Sequence, residues 1–263
     1  MKTMDKLLKI QTQDHVVRVT LNRPEVRNAF NAALISELTE AFAGFGQDKT
    51  LRAVLLGAEG KAFCAGADLN WMKDMAGFSR DENLADAAKL AEMLWTVYNC
   101  PLPVIARVQG DVYAGGVGLA AVCDIVVAVD SAGFCLSEAK LGLLPATIGP
   151  YVIRAMGEKA SRRYFVTAER FSAAEACRLG LAHEVTSAEG LDAKVDSLLA
   201  AIVANGPAAV RACKAFVQEI AQQPITPELR AATVSRIADI RASAEGREGV
   251  QSFLDKRRPS WLQ

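Results

Sequence analysis

Histidine is scarce in this chain, and other marks of common protein classes are missing as well. The sequence of 263 residues has two histidines, and its 30 basic residues balance 30 acidic ones. His15 and His183 are too few and too isolated for a usual zinc site, and they disfavour a Ser-His-Asp mechanism. The zero net charge creates no overall field that favours nucleic acid or an anionic membrane. We therefore expect no metal centre and no nucleic-acid partner.

Long apolar runs and closely paired cysteines are also absent. No apolar run approaches the roughly 20 residues that span a bilayer, and the N-terminal residues lead into no signal-type apolar core. We therefore expect a cytoplasmic protein with no membrane partner. The six cysteines form no CxxC pair, and several lie in apolar runs, which indicates reduced thiols in a core. They are Cys64, Cys100, Cys123, Cys135, Cys177 and Cys213.

The first half of the chain alternates strand-like and helix-like patterns. Runs rich in β-branched or apolar residues predict strands at residues 15–21, 52–57, 104–108 and 124–129. Apolar residues at helical spacing separate the first two strands, which gives a βαβ-like order. Beyond Pro150 the sequence becomes helical, with no strand pattern of comparable strength. These patterns predict an α/β fold with a helical C-terminal part.

Two turns made almost wholly of small residues are the most informative part of the sequence. They are Cys64-Ala65-Gly66-Ala67-Asp68 and Ala114-Gly115-Gly116-Val117-Gly118. Short side chains let backbone N–H groups approach a reacting carbonyl, and two such donors could hold one developing oxyanion. Glu138 follows the second turn after one more predicted strand, so it is the carboxylate to consider as an acid or base. This pattern indicates acyl chemistry without an obvious nucleophile.

Several further segments follow one another in an order that matches a known family. Together with the two turns, they resemble the crotonase superfamily, also called the enoyl-CoA hydratase/isomerase family, over nearly the whole chain. The resemblance implies a spiral of ββα repeats over residues 1–200. It also implies a C-terminal helical region over residues 201–263 that forms a homotrimer or a dimer of trimers and covers CoA. The segments are Leu21-Asn22-Arg23-Pro24, Asn28-Ala29-Phe30-Asn31, residues 61–69, residues 109–124, Gly142-Leu143, Arg170-Phe171-Ser172-Ala173 and residues 245–250.

The resemblance assigns roles to particular residues. The backbone N–H groups of Ala67 and Gly115 would bind the thioester oxygen of an acyl-CoA and stabilise an enolate, with Glu138 as acid and base. No separate cofactor is expected, because CoA is part of the thioester substrate. Basic residues near Arg23 and Arg27 are candidates for the CoA phosphates, and two C-terminal residues match positions that approach CoA on a neighbouring subunit. The predicted substrate-binding residues are Arg27, Ala65, Asp68, Leu69, Gly116, Phe253 and Lys256.

One expected carboxylate is missing. Hydratases of this family place one glutamate a few residues after the second oxyanion-hole glycine and another after the next strand. Here Glu138 matches the second glutamate, and Gly118 stands in place of the first. Single-glutamate members include Δ3,Δ2-enoyl-CoA isomerases as well as some hydratases. Hydration, isomerisation and non-catalytic acyl-CoA binding therefore stay open, and Asp111 is a minor candidate for a second acid.

Finer details favour hydration. Leu136-Ser137-Glu138, Asp68-Leu69-Asn70-Trp71-Met72 and Gly118 resemble bacterial methylglutaconyl-CoA or carboxygeranoyl-CoA hydratases, which serve leucine and acyclic-terpene degradation. By that resemblance, Glu138 would orient and deprotonate water for attack at C3, and a proton would then reach C2. A distal carboxylate on the acyl group would need a cationic or strongly hydrogen-bonding partner. Lys140 and Arg154 are candidates for it, while Trp71 and Met75 belong either to the core or to the acyl pocket.

Overall fold

A computed structural model describes residues 6–263 of the chain. In its first half, strands alternate with helices, and the four strands predicted from the sequence are confirmed as β2, β3, β5 and β7. The elements are β1 (Leu8–Gln13), β2 (Val16–Leu21), α1 (Ala32–Phe45), β3 (Ala53–Ala58), β4 (Ala62–Cys64), α2 (Leu69–Met75), α3 (Arg80–Tyr98), β5 (Val104–Val108), β6 (Asp111–Tyr113), α4 (Gly115–Ala121), β7 (Ile125–Val129) and β8 (Gly133–Cys135).

The second half is mainly helical, as the sequence predicts. Two three-residue strands also occur beyond Pro150, and they are too short for a periodic pattern to reveal them. A 3-10 turn, Glu138–Leu141, precedes this half, and α5 is interrupted at Gly157, whose φ is 77°. The elements are α5 (Gly149–Thr167), β9 (Arg170–Ser172), α6 (Ala173–Arg178), β10 (Glu184–Thr186), α7 (Leu191–Ala204), α8 (Pro207–Ile220), α9 (Pro227–Ala242) and α10 (Ala244–Leu254).

The strands form two sheets that the chain visits in turn. The larger sheet has the order β1-β2-β3-β5-β7-β10, and the smaller has the order β4-β6-β8-β9. All pairs are parallel except β1 with β2 and β8 with β9. Each repeat of the chain therefore contributes one strand to the larger sheet, then one short strand to the smaller sheet, and then a helical segment. The units β3-β4, β5-β6 and β7-β8 repeat this order, which is a spiral of ββα repeats.

The smaller sheet places the ends of its strands beside one another. β6 pairs with both β4 and β8, so the segments that follow these three strands leave the same sheet in neighbouring positions. The residues of β4 and β8 are all buried, and Phe63 and Phe134 are fully enclosed in the core. The two small-residue turns and Glu138 follow these strands. The fold therefore brings together three segments that are far apart in sequence.

The C-terminal helices are joined to the sheet by charged side chains. Lys214 on α8 donates to the carbonyl oxygen of Leu102 at 3.1 Å and to Asp124 Oδ2 at 2.6 Å. Asp124 Oδ2 also accepts the N–H of Val104 at 2.7 Å, so this carboxylate has a structural role. The predicted boundary after residue 200 lies within α7, which continues to Ala204. Within residues 6–263, no single helix is long and apolar enough to cross a membrane.

Candidate active site

The first small-residue turn connects β4 to α2. Asp68 is the N-cap of α2, because its Oδ1 accepts the N–H of Asn70 at 2.8 Å. Gly66 has a φ of +86°, and a Cβ built on it would lie 2.9 Å from Ala114 Cβ and 3.2 Å from the carbonyl oxygen of Tyr113. Glycine is therefore required here both by the backbone conformation and by the close approach of the second turn.

The second turn connects β6 to α4 and packs directly on the first. Ala114 has φ 46° and ψ −119°, a conformation that costs a residue with a Cβ about 1–3 kcal/mol. A Cβ on Gly116 would lie 2.6 Å from the carbonyl oxygen of Cys64, so a larger residue would push the two turns apart. The strain and the tight contact are found together where the sequence predicts a carbonyl-binding site.

Two backbone amides in these turns are available to a ligand. Neither Ala67 N–H nor Gly115 N–H donates a hydrogen bond to any group of residues 6–263. Gly115 opens α4, where the first N–H groups have no partner inside the helix and the helix dipole favours negative charge. Both residues line one cavity of about 290 Å³. The structure thus brings the two predicted oxyanion donors to one space.

Glu138 lines the same cavity and carries the carboxylate that the sequence singled out. It begins the 3-10 turn that follows β8, which places it at the end of the smaller sheet. Its Oε2 is buried and has no hydrogen-bond partner within the described residues. Burial raises the pKa of the Glu138 carboxyl, because the charged form loses hydration there. An acceptor in this state is suited to bind and deprotonate a water molecule or an acidic C–H.

An apolar side chain packs against Gly118, the position at which the first family glutamate is missing. Gly118 lies inside α4, and a Cβ built on it would be 2.1 Å from Ile148 Cγ2 and 2.6 Å from Ile148 Cβ. Ile148 is 2% exposed and precedes α5. Ile148, which lines the cavity, therefore lies directly against Gly118, and no side chain can be added at position 118 without moving Ile148.

The rest of the cavity is mostly apolar. Trp71 and Met75 line it, so the structure assigns both to the pocket rather than to the core alone. The indole N–H of Trp71 donates to Asp86 Oδ1 at 3.2 Å. The sequence reasoning missed the contribution of α3, although Asn83, Asp86, Ala87 and Leu90 recur at helical spacing. The other lining residues are Phe30, Ala114, Leu143, Leu144, Pro145, Ala146, Thr147 and Ile148.

A second cavity, of about 400 Å³, begins beside the first turn. It is lined by two of the predicted binding residues, Arg27 and Ala65, and the N–H of Ala65 donates to the Arg27 carbonyl oxygen at 3.0 Å. Lys61 lines it as well, which gives it two cationic side chains. The sequence contained Lys61 within a family segment, but no role was assigned to it. These cations make the second cavity the more suitable one for phosphate groups.

The other predicted binding residues line neither of these two cavities. Asp68 is 6% exposed, and its carboxylate pairs with Arg23 at 2.7 Å, so the Arg23 guanidinium is engaged in an internal ion pair. Gly116 is buried against Cys64, whereas the side chain of Leu69 is 74% exposed. Phe253 is 81% exposed and, like Lys256, lines neither cavity. Their predicted contact with CoA on a neighbouring subunit stays a prediction.

The minor candidates for acid or cation do not line the cavity of Glu138. Asp111 accepts the N–H of Gly133 at 2.8 Å and pairs with Arg170 at 2.8 Å, and it lines the second cavity rather than the first. Arg154 donates to the Tyr98 hydroxyl at 3.1 Å. Neither Arg154 nor Lys140 is among the residues that line the cavity of Glu138.

Comparison with known proteins agrees with this geometry. The profile of the enoyl-CoA hydratase/isomerase family matches residues 11–263. The enoyl-CoA hydratase ACTT6 of Alternaria alternata is 32% identical over 253 residues, which are 95% of this chain and 83% of that protein.

Solved structures of named hydratases share the fold over almost the whole chain. A crystal structure of an enoyl-CoA hydratase from Shewanella pealeana has a TM-score of 0.94 at 40% identity and covers 97% of this chain and 96% of its own. One from Mycobacterium smegmatis has a TM-score of 0.93 at 37% identity, covering 98% and 100%. The expected α/β spiral is therefore confirmed, and the chain belongs to the enoyl-CoA hydratase/isomerase family of the crotonase superfamily.

Proposed function

We propose that this protein is an enoyl-CoA hydratase that adds water across the 2,3 double bond of a 2-enoyl-CoA. The observation that carries the proposal is the meeting of Ala67 N–H, Gly115 N–H and the buried Glu138 carboxylate in one cavity. The residues that carry the two donors and the base line the same cavity, in which we place the thioester. No group beyond the substrate and water is needed for this chemistry.

The proposed reaction proceeds by transfer of one proton through Glu138. The carboxylate removes a proton from water, and the water oxygen forms a bond to C3 while the 2,3 π electrons move toward the thioester oxygen. The Ala67 and Gly115 amides stabilise the resulting enolate oxygen. Glu138 then returns the proton to C2, which restores the thioester carbonyl and completes the addition. The raised pKa of Glu138 suits a group that must both accept and release a proton.

Isomerisation is the second candidate, and the packing at Gly118 favours it as a specific alternative. Because Ile148 occupies the space of a second carboxylate, Glu138 has no carboxylate partner at position 118 to help orient a water molecule. A lone carboxylate can instead remove a proton from C2 of a 3-enoyl-CoA and return it to C4, with the same enolate held by the two amides. This reaction would use the same three groups and no water.

We propose two alternative acyl groups for the substrate. The resemblance to methylglutaconyl-CoA hydratases supports 3-methylglutaconyl-CoA, and hence a place in leucine degradation. The lining of the cavity within the described chain supports an uncharged 2-enoyl chain, because it contains the acidic Asp86 and Glu138 but no lysine or arginine. An anionic acyl end would therefore have no cationic partner from the lining.

We also propose a homotrimer or a dimer of trimers in the cytoplasm. Helices α8 and α9 contain no fully buried residue, yet their exposed side chains include Val217, Val234 and Ile237. Large apolar side chains exposed together are typical of a surface that a second subunit covers. The exposed Phe253 on α10 supports the idea that this region also covers CoA bound to a neighbour.

A substrate panel tests the function. The purified protein is given crotonyl-CoA, a 3-enoyl-CoA and 3-methylglutaconyl-CoA, and the absorbance of the conjugated thioester is followed. Loss of this absorbance with crotonyl-CoA or 3-methylglutaconyl-CoA identifies hydration, whereas its appearance with the 3-enoyl-CoA identifies isomerisation. If every substrate is unchanged while acyl-CoA binds, the chain is a non-catalytic binding member of the family.

A further inference from the structure

Arg23 joins the two chain segments that meet at the first small-residue turn. Its guanidinium donates from Nη2 to Asp68 Oδ2 at 2.7 Å and from Nη1 to the carbonyl oxygen of Ala29. The side chains of Arg23 and Asp68 are only 12% and 7% exposed. An ion pair this well buried is costly to break, because the remaining charge would be left without a partner. One side chain thus fixes residues 29 and 68 relative to each other.

The backbone on either side of Ala67 is attached to the same segment. The N–H of Phe30 donates to the Gly66 carbonyl oxygen at 2.6 Å, and the N–H of Asp68 donates to the Phe30 carbonyl oxygen at 2.8 Å. Ala67 lies between these two bonds and forms a bridge with Phe30. The direction of the Ala67 N–H is therefore set by how residues 29–30 are held against residues 66–68.

Asn28 secures the other side of this segment. Its Nδ2 donates to the carbonyl oxygens of Glu59 and Ala62 at 2.8 and 2.9 Å, and its Oδ1 accepts the N–H of Arg23 at 2.9 Å. Asn28 ties the segment to β4, while Arg23 ties it to the start of α2. On the C-terminal side of the turn, the Arg23 bridge to the Asp68 side chain adds to the backbone bond from Asp68 N–H to the Phe30 carbonyl oxygen.

We propose that Arg23 is a positioning residue for the reaction, because its bridge between Asp68 and Ala29 holds the Ala67 amide at the oxyanion position. The proposal rests on the proposed function, since it assumes that the Ala67 N–H binds a thioester oxygen. Lysine at position 23 would keep the positive charge but lacks the planar fork that reaches two acceptors at once. Without that fork, residues 66–68 would be held against residues 29–30 by the backbone bonds alone, and the Ala67 amide would be less firmly fixed.

The first test compares Arg23→Lys with Arg107→Lys in steady-state kinetics. Arg107 pairs with Asp192 at 2.5 Å and lines neither cavity, so this control breaks an arginine ion pair away from the site. We expect Arg23→Lys to lower kcat about tenfold to a hundredfold, as misplacement of a single oxyanion donor does. KM should change by less than about threefold, because ground-state binding is largely kept. A kcat within about twofold of the unaltered protein would overturn the proposal.

A spectroscopic measurement separates positioning from a structural role and from turnover. Butyryl-CoA carrying a 13C label at the thioester carbonyl is bound to each variant, and the carbonyl stretch is read by infrared difference spectroscopy. The unaltered protein and Arg107→Lys should lower the stretching frequency, and Arg23→Lys should lower it less. An equal shift in all three would overturn the proposal, even if the protein hydrates no enoyl-CoA and the proposed function has failed.

A second variant keeps the test valid if Arg23→Lys does not fold. Asp68→Asn removes the ion pair but retains a side-chain oxygen that can cap α2 at Asn70. It should reduce the carbonyl shift in the same direction as Arg23→Lys. A full carbonyl shift in folded Asp68→Asn would contradict the role given to the Arg23 bridge.

Discussion

The packing of Gly118 against Ile148 gives a quantitative prediction about the reshaped cavity. Alanine at position 118 would place a Cβ 2.1 Å from Ile148 Cγ2, well inside the distance that real contacts allow. Overpacking of a buried site typically costs about 1–3 kcal/mol, and this contact lies at the upper end. Replacing glycine in a helix interior returns about 0.5–1 kcal/mol. We therefore expect Gly118→Ala to lose about 2–2.5 kcal/mol in free energy of unfolding.

Urea denaturation measures this loss, and Gly44 provides a matched control. Gly44 also lies in a helix, α1, but a Cβ built on it has no neighbour within 4 Å. Gly44→Ala should therefore be neutral or stabilising by up to about 1 kcal/mol. In a double-mutant cycle, Ile148→Ala should relieve part of the cost of Gly118→Ala. If Gly118→Ala is as stable as Gly44→Ala, Ile148 does not fill the space of the second carboxylate.

The same contact predicts the outcome of restoring the family glutamate. Gly118→Glu would force a carboxylate against Ile148 and close to the buried Glu138. We expect a loss of stability and no gain in kcat with crotonyl-CoA. A large gain would mean that the cavity accepts a second glutamate readily, contrary to the observed packing.

Three further predictions concern charged groups. Because burial raises the pKa of Glu138, activity should fall as pH decreases through a value above that of an ordinary glutamate, which a kcat/KM pH profile measures. For the same reason Glu138→Gln should unfold at higher urea concentration at neutral pH, and this advantage should vanish below the unfolded-state pKa, where both side chains are uncharged. Lys214→Met should cost roughly 3 kcal/mol in urea denaturation, because it leaves Asp124 without its partner, and Asp124→Asn in the same chain should recover part of that loss.

The sequence predicted four of the six strands of the larger sheet, and two turn residues that line the cavity with Glu138, for identifiable reasons. Apolar runs such as residues 104–108 are long enough to form a periodic pattern, and they appear as β5. The small-residue turns were recognisable because Gly66 and Gly116 are required by contacts between the turns themselves. The family resemblance then identified Ala67 and Gly115 within these turns, and Glu138 was identified by its place after the second turn.

Other features depend on tertiary contacts that the sequence does not display. All four strands of the smaller sheet are three residues long, so no alternation can mark them. Arg23 resembles a phosphate-binding cation until the structure shows Asp68 beside it. No sequence pattern indicated the role of Ile148, because that role depends on its contact with Gly118, 30 residues earlier in the chain. Residues that act through a neighbour far away in sequence were therefore the ones missed.

In the proposed reaction, Glu138 is the sole acid and base, and two backbone amides stabilise the enolate. Its most direct test is the turnover of Glu138→Gln with the best substrate of the panel, measured beside the affinity for butyryl-CoA. The side chain keeps its shape but loses its basicity, so we predict at least a hundredfold to a thousandfold loss of kcat, on the order expected for a general acid–base group. Butyryl-CoA affinity should be unchanged. Turnover close to that of the unaltered protein would contradict the role of Glu138 as the sole acid and base.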